Sequence, residues 1–332
     1  MATQPSVNPT PSQIADLTMM TVKPRSLWVD AWYRLIRNKA AVAGMVVIAF
    51  FLFVAIFANQ LAPHNPLQTN AGKSFLPPAW MEIGPNGRPS DPAFFFGTDN
   101  LGRDVLSRTI YGARVSMVVG FLPTIVIILV GSVIGLLAGY KGGQFDNILM
   151  RFTDVIYAFP DLLFFIIVMV TLRETFVGKL LNGLFLLFMA LAIVNWVGFA
   201  RVVRGQVLSL KEKEFIEAAR CIGASDARIM FRHLLPNSLG PIIILSALTI
   251  PGMIITEAIL GYLGLGLTPS TNPNDIFITS WGALMLDGQV AINAQPWLIL
   301  PPAICVSLVV LAFTFLGDGL RDALDPRLQG TQ

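Results

Sequence analysis

The 332-residue sequence predicts an all-α membrane protein with six transmembrane helices, N-terminus in and C-terminus in. Three observations carry this. Hydrophobic residues make up 54% of the chain and charged residues 13%, about half the share of a soluble domain, and the mean hydropathy is +0.67. Six stretches are apolar over about 20 residues, the length that crosses a bilayer. Of the 23 Lys and Arg, 16 fall in the segments that this topology places inside. Such a composition excludes a secreted disulfide scaffold, a disordered chain and a nucleic-acid binder with a broad basic face.

Residues 1–24 are polar and rich in Pro, Ser, Thr and Gln, which reads as a flexible tail without the apolar core of a signal peptide. In 26–39, Trp28, Trp32 and Leu35 recur at helical spacing while Arg34, Arg37 and Lys39 fall elsewhere. That pattern fits an amphipathic helix on membrane lipid, or simply the polar start of the first crossing. The crossings are read at 40–62, 113–139, 148–172, 183–203, 238–262 and 296–318. They should be helices, because backbone in lipid must satisfy its own hydrogen bonds. The first begins too late and runs too long for a cleaved signal. The third is the weakest, since it holds Arg151, Asp154, Pro160 and Asp161. The organisation is then an inner tail and interfacial helix (1–39), a first helix (40–62) and an outer loop (63–112). A core (113–318) with an inner loop at 204–237 and an inner tail (319–332) complete it. The Pro-, Gly- and Asn-rich outer loop is either a small cap or a mobile lid.

The inner loop has helical punctuation. Ser209 and Glu212 form a capping-box pattern, so a helix should follow from about 210 to 222, with Gly223 ending it in a left-handed turn. Ser225 suits the N-cap of a second short helix, Asp226 suits its positive end, and Pro236 should stop it. Two short helices between membrane spans form a connector or a docking element for a soluble partner. A DNA-reading helix-turn-helix is excluded by the membrane tether at both ends, so no nucleic-acid partner is expected.

Charge inside the spans is costly and needs a reason. Arg151 and Asp154, three residues apart, are read as a pair on one helix face. Asp161 lies on roughly the same face, just past Pro160, either at a local break lining a cavity or in helix packing. Glu257, near the outer end of the fifth span, is read as a gate anchor or as a ligand for a peptide amine. Gly131, Gly135 and Gly139 recur every four residues and permit close helix packing. Pro123, Pro160, Pro241, Pro251, Pro301 and Pro302 mark kinks. Cys221 and Cys305 occupy different kinds of segment, which argues against a disulfide. With His64 and His233 they form no metal-ligand cluster, so no metal is expected.

Glu217-Ala218-Ala219, Gly223 and the segment His233-Leu-Leu-Pro236 resemble the EAA signature of membrane subunits of bacterial binding-protein-dependent ABC importers. His233 followed by Pro236 and Asn237 is similar to the dipeptide/oligopeptide permease branch, "C" type. So are Phe96-Gly-Thr-Asp99, Gly102-Arg-Asp104, Ser107-Arg108, Ala138–Gly143 with Asp146, Met150–Asp154, Tyr262–Gly266, Trp281-Gly282 and 316–326. The resemblance spans about 25–328. Two outward segments, 63–96 and 266–281, are longer than that pattern.

The resemblance implies a type I importer permease (MetI-like) fold in the bacterial inner membrane and a non-catalytic role importing peptides. It also implies a second homologous permease, two cytoplasmic ATPases and an extracytoplasmic solute-binding protein. Nickel, glutathione or another small solute are alternative cargoes. The sequence holds no phosphate-binding loop of the Gly-x-x-x-x-Gly-Lys type. ATP and Mg would therefore act on partner subunits, with no cofactor on this chain. Glu217, Ala218, Ala219, Gly223, His233, Pro236 and Asn237 would form the ATPase-coupling surface. Asp154, Asp161 and Glu257 would stand at the pathway or gate. A different class, a secondary transporter driven by an ion gradient, would use the same three acids as carriers.

Overall fold

The structure is a computed structural model describing residues 27–272, 274–293 and 295–324. The tail read at 1–24, Ser26 and positions 325–332 lie outside the described residues. The described residues are helical with no strands; two isolated β-bridges, Ile83 with Pro89 and Thr98 with Asp104, occur in the long loop.

Helix α1 (Leu27–Arg37) leaves Trp28, Trp32 and Ile36 exposed, as an interfacial helix would. Leu35, read on the same stripe as the tryptophans, instead turns inward at 4% exposure and packs beside Ala323 and Leu320. Asn38 ends α1 and starts α2 (Lys39–Ile56), its Oδ1 accepting from Ala40 N at 3.0 Å and Ala41 N at 3.2 Å. The loop that follows is a cap. Backbone bonds such as Phe75 N to Asp99 O and Asn70 N to Leu101 O, both 2.9 Å, fold it back on itself. Trp80, Phe95 and Phe96 cluster edge to face within it.

Helix α3 (Val105–Lys141) is 37 residues, roughly 55 Å at the usual rise. It begins at Val105 rather than Ala113. Its first turns carry Ser107, Arg108 and Thr109, whose polarity hides the helix from a hydropathy reading, yet all three are buried under the cap. The Asp104 carboxylate caps it, accepting from Ser107 N at 2.9 Å.

The third crossing splits into α4 (Gly143–Tyr157) and α5 (Asp161–Leu172), bent by 74° at Pro160. Proline removes a donor and disfavours helix in the residue before it, which accounts for the break. Helix α6 (Leu184–Leu210) returns, and α7 (Glu214–Cys221) lies at the same end. Helix α8 (Leu235–Tyr262) is entered without a stop, so Asp226–Tyr262 forms one run. Pro236 does not end the preceding turn as the sequence suggested. A π-helical turn at Met230–Leu234 precedes it, and proline in the first turn of α8 loses no bond that an ordinary start would make. Helix α9 (Trp281–Val290) sits under the cap, and α10 (Leu300–Leu324) is the last described element. Pro301 and Pro302 occupy the first turn of α10 and do not kink it. Among the described residues, five helices are long and apolar enough to cross a membrane, or six if α4 and α5 count as one bent crossing.

The most extensive helix contact joins α3 and α6. Gly131, Gly135 and Gly139 make it. A Cβ at Gly131 would stand 2.5 Å from Phe199 Cβ, and one at Gly139 would stand 2.8 Å from Val207 Cβ. The other layer packs α2, α8 and α10 around α3, with Trp281 and Phe313 fully buried between them.

Candidate functional site

The turn between α6 and α8 is built to hold α7 rigid while exposing one side of it. Ile216, fully buried, and Ala219, 5% exposed, point into the bundle beside Ile229 and Leu234. Phe215, Ala218 and Ile222 recur at spacings of three and four on a neighbouring strip, about 100° round the helix, where Phe215 is 41% and Ile222 85% exposed. Glu217 is also exposed. Large apolar side chains held outward by a buried anchor make a surface that fits a groove rather than solvent.

The start and end of α7 differ from each other in how well the sequence announced them. Ser209 and Glu212 do not form a capping box. Helix α6 runs on through Leu210, and α7 starts after Lys213 with no side-chain cap. Its continued apolar contacts, Val203 and Val207 against α3, carry α6 past the signal. The end is as read. Gly223 has φ +76°, the left-handed region, and its N–H donates to Arg220 O at 2.9 Å. Ser225 caps the next turn, and Asp226 Oδ1 accepts from the Tyr140 hydroxyl at 2.6 Å, tying the turn to α3. His233 is half-buried and offers its carbonyl to Asn237 Nδ2 at 2.6 Å. Pro236 and Asn237 are exposed. The seven residues therefore run from α7 through the turn into the start of α8, but Ala219, expected on the coupling surface, faces the bundle instead, because its position follows the buried Ile216 by three residues.

The three membrane-depth acids do not come together. Asp154 pairs with Arg201 of α6 at 2.7 Å, not with Arg151. Arg201 reaches it from the neighbouring helix, and the Tyr157 ring faces the same guanidinium at 4.3 Å. Asp161 lies beyond the 74° bend, so it does not share a face with Asp154. Glu257 is fully buried near the far end of α8. It accepts from Ser116 Oγ of α3 at 3.0 Å, with Ser280 at the start of α9 beside it. Trp281 Nε1 bonds Thr109 O at 2.9 Å next to this junction.

Sequence reasoning missed two ionic clusters. Arg204 and Asp146 join α6 to α4 at the turn end. Arg108 and Arg103 join Asp99 of the cap to Asp287 of α9. Asp99, Arg108 and Asp146 stood in the motifs already quoted, but Arg204 and Asp287 lie 58 and 179 positions from their partners, which no local pattern links. Among the described residues no cluster of metal-ligating side chains occurs.

Residues 131–330 match the family described as binding-protein-dependent transport system inner membrane component. Residues 26–78 match the N-terminal transmembrane domain of oligopeptide transport permease C. The oligopeptide transport system permease protein OppC of Bacillus subtilis is 37% identical over 97% of this chain and 96% of its own. OppC of Escherichia coli K12 is 40% identical over 93% of this chain and 94% of its own. The dipeptide transport system permease protein DppC of B. subtilis is 40% identical over 90% of this chain and 86% of its own. A chain of the MetNI methionine ABC transporter, solved in inward-facing conformations, is 18% identical with a TM-score of 0.48, covering 67% of this chain and 96% of that one.

Proposed function

The chain belongs to the family of binding-protein-dependent transport system inner membrane components, and from that premise we propose that it forms half of a peptide pathway opened by ATPases docked on α7. It is a multi-pass inner-membrane permease subunit of an ABC importer. Dipeptides or oligopeptides are the proposed cargo, on the names of its relatives. ATP and Mg stay with two cytoplasmic ATPases, this chain binds no cofactor and catalyses nothing itself, and an extracytoplasmic binding protein delivers the solute. Both termini face the cytoplasm in this reading, with the cap outside.

The observation that carries the docking is the outward face of α7. Phe215, Ala218 and Ile222 supply apolar contact, and Glu217 offers a carboxylate to a basic group of the ATPase. Gly223 fixes the turn, and His233, Pro236 and Asn237 set how the turn enters α8. The run Asp226–Tyr262 then links that surface to Glu257 some 30 residues on, under α9. Tilting at the turn is carried by one helix to the junction of α3, α8 and α9. Glu257 is thus a positioning residue at the outer gate. Asp154 and Asp161 stand at the exposed, broken crossing, where Phe152, Val155 and Leu163 await the second permease subunit.

The test is uptake of labelled peptide into proteoliposomes holding the assembled importer. Ala218→Trp and Glu217→Lys, both at exposed positions, should leave the chain inserted while releasing the ATPases and stopping ATP-dependent uptake. Normal uptake with an intact complex in both variants would remove α7 from the docking role.

A further inference from the structure

Where α2 and α3 meet the loop that leads into α9, an apolar groove of about 590 Å³ is walled by Leu52, Phe121, Leu122, Ile125 and Phe277. A polar recess of about 400 Å³, lined by Asn59, His64, Tyr111 and Asp275, adjoins it. Arg114 belongs to the walls of both. Residues 115–140 carry no charge, so Arg114 marks the edge of the hydrocarbon on the cap side.

The guanidinium is fixed but not neutralised. Its Nε donates to Ala55 O at 3.1 Å, and its two terminal nitrogens donate to Ile276 O and Asn59 Oδ1, both at 3.2 Å. The Tyr111 ring lies 5.4 Å away. Among the described residues no carboxylate forms an ion pair with it. Arginine has five N–H donors, so donors remain after these three bonds. Asp275, on the recess wall, is held by Ser270 Oγ at 2.6 Å, Asn182 Nδ2 at 2.8 Å and Asn272 Nδ2 at 3.2 Å. His64 also faces the recess, 3.4 Å from Asp104.

A recess with one fixed cation and one fixed anion, opening into an apolar trough at membrane depth, has the polarity of a zwitterionic amphiphile. We propose that this site holds one phosphatidylethanolamine-type phospholipid, with its phosphate on Arg114, its ammonium toward Asp275 and an acyl chain in the groove. An apolar helix from a partner subunit would cover Arg114 without supplying an anion, which lipid depth makes costly. A phosphate supplies that anion with charge-assisted bonds.

The test is native mass spectrometry of the assembled importer, incubated with phosphatidylethanolamine, with diacylglycerol (no phosphate) or with glycerophosphoethanolamine (no acyl chains). One phosphatidylethanolamine per copy should resist collisional release. Arg114→Gln should weaken retention about tenfold, the equivalent of one lost charge-assisted bond. Leu122→Trp fills the groove from a half-exposed position without touching the guanidinium, and should abolish retention even if the Arg114 variant fails to fold. Three results would overturn the site. They are equal retention by wild type and Leu122→Trp, equal retention of diacylglycerol, or displacement by glycerophosphoethanolamine as effective as by the full lipid. The outcome is independent of which solute is transported.

Discussion

Arg204 grips Asp146 through two parallel hydrogen bonds, Nε to Oδ1 and Nη2 to Oδ2, each 2.6 Å long. The pair joins α6 to α4 where the chain is about to enter the α7 turn. Lysine keeps the charge but cannot reproduce the fork. Arg204→Lys should therefore lower stability by about 1–2 kcal/mol, the loss of one charge-assisted bond. Asp146→Asn should do the same, and the double variant should cost less than the sum, because both changes act on one interaction. Thermal unfolding of the four proteins in one detergent checks this, and strict additivity would show the pair to be incidental.

Glycines in the same bundle should respond with opposite signs. A Cβ at Gly135 would collide with the Ala200 carbonyl and stand 2.9 Å from Val203 Cβ. At Gly198 it would meet nothing within 4 Å. Gly135→Ala should destabilise by about 1–3 kcal/mol through overpacking of α3 on α6. Gly198→Ala should be neutral or stabilising by up to about 1 kcal/mol through helix propensity. Assembly with a partner subunit bears only on the second, so monomer and complex measured together would separate a packing effect from an interface effect.

The cap should depend on its buried acid more than on its exposed one. Arg108, 3% exposed at its side chain, bonds Asp99 Oδ2 at 2.5 Å and Asp287 Oδ2 at 2.9 Å. Asp99 is 4% exposed at its side chain and Asp287 37%. Removing Asp99 leaves the buried Arg108 with only the part-exposed Asp287, so the cost should be that of a lost buried charge-assisted bond, about 1.5–3 kcal/mol. Asp287→Ala leaves Asp99 in place and lets water reach Arg108, so its effect should be under about 1 kcal/mol. Protease sensitivity of the 63–104 segment is the readout. A larger effect of Asp287→Ala would mean that α9, not the cap, is what the cluster holds.

Much of this architecture was legible because hydropathy reports burial in lipid directly. Five of the six apolar stretches became single spanning helices and the third a bent pair, and the glycine spacing at 131, 135 and 139 marked the most extensive helix contact. Errors arose where a local signal was outweighed by contacts distant in sequence. The Ser209–Glu212 capping pattern lost to α6 side chains packed on α3. Arg151 lost Asp154 to Arg201, which a neighbouring helix brings within 2.7 Å. The start of α3 was hidden because its polar residues are buried by ionic partners rather than by apolar ones. In the candidate site, Gly223 and Ser225 were readable since a left-handed turn and an N-cap are local events. Which face of α7 is anchored was not, because Ile216 and Ala219 are identified only by what the turns at 226–234 place beside them.

Acid should loosen the loop at 268–278, which Asp275 anchors. Asp275 accepts from Ser270 and Asn182, and these bonds hold its pKa below the ordinary 3.8. Asn182 itself sits at φ +59°, a left-handed position that the 268–278 segment helps to hold through Thr268 N to Asn182 O at 2.9 Å. A depressed carboxylate pKa means a contribution that is whole above the unfolded value and fades as pH falls through the folded one. Hydrogen exchange in 268–278 should therefore stay constant from pH 8 to 5, after correction for intrinsic rates, and accelerate only below 3.8. Asp275→Asn should exchange fast throughout that range, since its amide can accept through only one oxygen. Loosening of the wild-type loop between pH 7 and 5 would assign the anchor to another group.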